Sequence, residues 1–154
     1  MTRLGIREGS PYMSGLVLAA AAALIWFGMV IAISFIEAPL KFRAPGITTQ
    51  LGLGIGKIVF LALNIAEVLL GIVVAGGLLA AGTWSTGSAW LAVALGLLVV
   101  QLAVIRPVLR RSSRRVLAGG ESGSRSGTHW FYVGAEVAKV VALVTGALVV
   151  LSAA

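Results

Sequence analysis

Four apolar stretches decide what this chain can fold into. They run over about 13–36, 51–81, 88–105 and 130–152. A helix needs ~20 apolar residues to cross a hydrocarbon core of about 30 Å. Inside that core every backbone N–H and C=O must find a partner within the protein, so helices are the expected form. Apolar residues make up 59% of the chain and charged ones 11%, whereas a soluble domain carries about a quarter charged residues. So many spans in 154 residues leave no length for a soluble domain. The expectation is a single integral membrane domain over 1–154, all-α, folded as a four-transmembrane-helix bundle. The second stretch is long enough to tilt or protrude.

The first stretch follows Arg3 and Arg7 and superficially resembles a secretory signal. It continues to Ile36, well beyond the ~7–15 apolar residues of a signal core, so a retained span is expected. The connections differ. Residues 37–50, EAPLKFRAPGITTQ, hold Pro39 and Pro45, and 82–87, GTWSTG, form a tight uncharged turn. Residues 106–128 are basic at first and then rich in Gly and Ser, the composition of a flexible connection. Four spans put both termini and the GTWSTG turn on one side, and the other two connections on the opposite side. The termini side carries two arginines, Arg3 and Arg7, against eight basic residues in the two connections. The positive-inside rule therefore predicts a cytoplasmic (inner) membrane protein with both termini outside the cytoplasm and 106–128 as a basic cytoplasmic loop.

The formal net charge is +7. Basic residues flanking apolar spans are explained by topology and anionic lipid, so no nucleic-acid partner is expected. Arg106, Arg110, Arg111, Arg114 and Arg115 are expected to meet lipid headgroups, with docking of a protein or an anionic substrate as the alternative. The chain has no cysteine, no aspartate and five glutamates. Thiol chemistry is excluded within it, and carboxylate-rich metal sites are disfavoured. GLGIG at 52–56 lacks both the preceding strand and the third glycine of a dinucleotide fingerprint; close helix packing explains it better. The lone histidine has no aspartate partner, and nothing resembles a nucleophile–base–acid triad, so enzymatic activity is not indicated.

The second and fourth spans carry matching polar stripes. Lys57, Phe60, Asn64 and Glu67 stand at 0, +3, +7 and +10, and so do His129, Tyr132, Glu136 and Lys139. Pro39 and Pro107, each after the preceding span, stand 68 residues apart. Two readings are open: a parallel duplication of a two-helix unit, as known in other membrane folds, or chance resemblance between apolar helices. Each ionisable side chain costs ~2.5–3.5 kcal/mol at the middle of a membrane helix on insertion scales. Lys57, Glu67, Glu136 and Lys139, with Asn64 and Gln101 in the spans and Glu37 and Arg106 at helix ends, should therefore face one another inside the bundle. At ~1.5 Å per residue, Glu67 and Lys139 reach the same depth. If the second and fourth helices touch, Glu67 meets Lys139, Asn64 meets Glu136, and Lys57 lies near His129 or Tyr132. Such a network either only fixes helix register or forms a site for a proton, ion or small ligand. In the second case Glu136 is the proton-exchanging carboxylate, and His129 with Lys57 forms the entrance. His129 itself has three readings: an interfacial aromatic-belt residue beside Trp130 and Tyr132, a proton shuttle, or an axial haem or metal ligand.

LIWFGMVIAISFIEAPLKFRAPG, followed by IGKIVFLALNIAE, resembles a group of small bacterial four-helix membrane proteins related to the transmembrane protein 205 family. The resemblance rests on Trp26-Phe27-Gly28, Ala38-Pro39 and Phe42, within about the first 70 residues. That group looks distantly like copper-resistance D-type and HemJ-type membrane proteins, which implies haem or metal chemistry as an expectation. The leading expectation is thus a small polytopic protein whose buried polar site binds or conducts a proton, ion or small ligand. The alternatives are an accessory subunit of a larger membrane complex and a haem-binding redox protein. A homo-oligomer, or assembly with other membrane subunits, is expected, with Gly71, Gly76 and Gly146 available for close contact.

Overall fold

The computed structural model describes residues 11–105 and 125–153, with side chains over 13–103 and 133–153. Among the described residues there is no strand. Helix α1 (Pro11–Val30) runs on through a π-helical segment (Ile31–Glu37), a single α turn (Ala38–Leu40) and a 3₁₀ turn (Lys41–Arg43). Helix α2 is Thr49–Ala81, α3 is Thr86–Val100 followed by a π-helical segment (Gln101–Ile105), and α4 is Arg125–Ser152. The four apolar spans are Met13–Arg43, Thr49–Ala81, Thr86–Ala103 and Val133–Ser152.

The first span is longer than expected because Pro39 does not end it. Proline removes a donor and crowds the carbonyl one turn back. Here the Ala38 N–H bonds to the Ile33 carbonyl, an i→i+5 step that widens the turn just ahead of the ring. The second π segment also ends two residues before a proline, Pro107 in the sequence.

The other ends follow ordinary capping rules. Thr48 accepts from the Leu51 N–H at 3.2 Å and Ser85 from the Ser88 N–H at 3.1 Å, each satisfying a donor that the first helical turn leaves free. Gly82 closes α2 at φ 64°, with its N–H on the carbonyls of Leu78 and Leu79. A left-handed residue there favours glycine, and the chain turns at once into α3.

The helices form a ring in which each neighbour is antiparallel. The closest pairs are α1 with α2 and α3 with α4; α1 also lies along α4, and α2 meets α3 more lightly. Helices α2 and α4 are therefore diagonal. The two hairpins are built alike at the end bearing the termini. A Cβ added to Gly15 would come within 2.7 Å of the Gly77 carbonyl oxygen, and one added to Gly87 within 3.1 Å of the Gly146 carbonyl oxygen. Gly15 and Gly87 stand 72 residues apart. Backbones touch at both places, as small residues permit in membrane helices. Around them packs an apolar core that includes Leu16, Ala19, Ala23, Val74, Leu91, Leu143 and Val150.

GLGIG also finds its explanation in packing. The Phe42 ring lies against Gly52, and the Lys41 amine against Gly56. That amine is 3.3 Å from Glu37 and sits 5.7 and 5.3 Å from the centroids of Phe42 and Phe60. The glycines give the EAPLKFR segment room to fold back on the start of α2.

Candidate functional site: a buried polar layer

Each helix contributes one polar residue to a single layer. These are Trp26 of α1, Glu67 of α2, Gln101 after α3 and Lys139 of α4, all nearly or wholly buried. Each stands 13 to 15 residues from the end of its span on the termini side, a depth of ~20–23 Å at helical rise. Glu136, also buried, lies one turn from Lys139 on α4, away from that end.

Lys139 is the hub. Its side chain is 0% exposed. An ammonium has three hydrogens to give. Nζ donates to Glu67 Oε1, to Gln101 Oε1 at 2.8 Å and to Glu136 Oε1 at 3.2 Å. Two neutral donors complete the arrangement: Trp26 Nε1 to Glu67 Oε1 at 3.0 Å, and Gln101 Nε2 to Glu136 Oε1 at 3.0 Å. The Lys139 amine also stands 5.9 Å from the Trp26 ring centroid, within cation–π range. Gln101 thus gives and takes in one place, its oxygen on the ammonium and its nitrogen on a carboxylate.

The two oxygens of Glu136 are held differently. Its Oε1 receives two donors, while Oε2 is buried with no hydrogen bond. Oε2 is 3.2 Å from Lys139 Nζ, an ion pair at the same distance as the bond to Oε1. A buried oxygen with no donor is uncommon and costly. The other such atom among the described residues is Ser34 Oγ. It lies in the π segment of α1, ~12 Å beyond Trp26 toward the connection side.

The sequence-based expectations fare unevenly. Glu67 and Lys139 meet as their depths required. Asn64 does not meet Glu136, whose partners are Gln101 and Lys139. Lys57 is exposed rather than interior. The reason is rotational: at ~100° per residue, positions 0 and +10 lie about 80° apart round a helix. Glu67 occupies the inward edge of that stripe and Lys57 the outward edge. Asn64 follows the buried Leu63 and is turned ~100° from it; it is only half-buried. The side chains of His129 and Tyr132, and all of Arg106, Arg110, Arg111, Arg114 and Arg115, lie outside the described residues.

Trp26 and Gln101 are the site residues that the polar stripes did not reveal. Gln101 stands out in the sequence as an amide between Val100 and Leu102. Trp26 carries no comparable mark, since tryptophan is usual near membrane interfaces. Among the described residues no group of three or more His, Cys, Asp or Glu is placed to hold a metal ion. The centre of the oxygens, where a metal would sit, is taken by the Lys139 ammonium. His129, the residue on which the haem reading rests, has its side chain outside the described residues.

Comparison with protein-family models, with curated proteins and with solved structures finds no match.

Proposed function

We propose that this protein binds and passes protons at a site buried in the membrane, with Glu136 as the proton carrier. The observation that supports this most is the unequal treatment of the Glu136 oxygens: Oε1 takes two hydrogen bonds, and Oε2 takes none and is held by its ion pair with Lys139 alone. A proton delivered from hydronium adds to Oε2 without displacing a hydrogen bond, in exchange for the ion pair of that oxygen with Lys139. Its arrival neutralises that carboxylate and weakens its hold on Lys139, which keeps its bond to Glu67. Loss of the proton to water restores the starting arrangement. Intramembrane ionisable residues most often serve such pathways. The apolar, glycine-packed core on the termini side favours exchange from the other face, along α1 past Ser34. On the arginine asymmetry that face is cytoplasmic, and the arginines of 106–115 hold it to anionic lipid.

The test is proton flux in liposomes loaded with a pH-sensitive dye and driven by a potassium diffusion potential. Wild-type protein is expected to carry flux well above empty liposomes. Glu136→Gln should lose at least tenfold of it while keeping its helical circular dichroism and elution volume. Wild-type flux in folded Glu136→Gln, or no flux from the wild type, overturns the proposal.

A further inference from the structure

The outward face of α2 presents a polar group to hydrocarbon. Helix α2 is the least covered of the four, with 22% of its most apolar window buried. A shallow groove on it is lined by Leu61, Asn64, Ile65, Val68 and Leu69. The first four stand at i, i+3, i+4 and i+7, which is the diamond that receives a side chain from a facing helix in knobs-into-holes packing. One corner of the diamond is an amide. Asn64 has no hydrogen bond to any described residue, and it lies one turn from Glu67 in the buried layer. Water is far from that depth, and lipid tails have nothing to offer an amide.

We infer that a second copy of this chain covers this face, with α2 packed on α2 and Asn64 facing Asn64 across a twofold axis along the membrane normal. Copies inserted with one topology are parallel, so the axis brings identical residues together at identical depth. That geometry suits few polar side chains. Two lysines or two glutamates would repel. Two asparagines each give an N–H and accept at a carbonyl, so the pair is self-complementary. The branched and leucine side chains at 61, 65 and 68 supply the packing around it. The inference does not depend on proton transport: the dimer stands or falls whatever the buried layer does.

The chain has no cysteine, so single cysteines report on the interface directly. Leu61→Cys and Val68→Cys are placed on the groove and keep Asn64. Val99→Cys on α3 and Leu148→Cys on α4, both exposed, serve as controls. Oxidation in native membranes is expected to yield a disulfide-linked dimer from the groove positions and not from the controls. Adding Asn64→Leu should weaken dimerisation about 3- to 30-fold, measured by energy transfer between labelled copies in bilayers as density is varied. Equal cross-linking at all four positions overturns the inference. So does a monomer at every density, cross-linking only to a different protein, or unchanged association in Asn64→Leu.

Discussion

Lys139 donates to the carboxylate of Glu67 from the helix diagonally opposite, 72 residues away in sequence. Lys57 and His129, the first residues of the two polar stripes, are separated by the same 72 residues. The two residues that meet at the centre are therefore the ones that occupy equivalent places in the two halves. If the halves arose from one unit, a position near the axis that would have faced its own copy now carries opposite charges.

Removing the hub should be far costlier than removing one spoke. Lys139→Met strands two buried carboxylates, and breaking a buried pair typically costs ~3–5 kcal/mol. Adding Glu67→Gln to that variant should restore part of the loss, because one of the stranded charges is gone. Unfolding in mixed micelles followed by circular dichroism will show this as a clear departure from additivity. Additive losses would mean that the two side chains do not act on each other.

Trp26 contributes a ring and a donor, and the two are separable. Trp26→Phe keeps an aromatic ring in the core and removes the bond to Glu67. A hydrogen bond to a charged group is worth ~1.5–3 kcal/mol, and a loss of that order is expected in the same assay. In a Glu67→Gln background the further loss should be smaller, since the acceptor is then neutral.

The glycine contacts give a sharp contrast between neighbours. A Cβ at Gly77 would lie 2.6 Å from the Gly15 carbonyl oxygen, while one at Gly76 meets nothing within 4 Å. Gly77→Ala must push two backbones apart, and overpacking of this kind costs ~1–3 kcal/mol. Gly76→Ala should be neutral or gain up to about 1 kcal/mol in helix propensity. Thermal denaturation of the two variants side by side checks the order.

The spans were legible because hydrocarbon imposes one rule on every residue in them. Length and apolarity sufficed, with no need for a helical period. The Glu67–Lys139 pair was legible for a related reason, since buried charges must be met and depth restricts who can meet them. Rotation about a helix axis was not. A stripe extending to +10 spans enough arc to hold both an inward and an outward residue, so Glu67 turned in and Lys57 turned out. Gln101 was legible as an interior amide but not its partners, and Trp26 stayed hidden because an indole is tolerated in many membrane settings. Their roles emerge only when four helices bring one polar side chain each to the same level.

The glycine contacts at the termini face also govern how the bundle yields to force. There, backbone rests on backbone, with no side chain between to change rotamer. Toward the connection after the first span, the contact between that span and the start of α2 is made by the long side chains of Lys41, Phe42 and Phe60, which have torsions to spend. Within the α1–α2 hairpin, packing is therefore least adjustable at the termini face and more adjustable toward that connection. Small adjustments concentrate there, and Glu67, in the layer around Lys139, sits near the boundary between the rigid half of that hairpin and the compliant one.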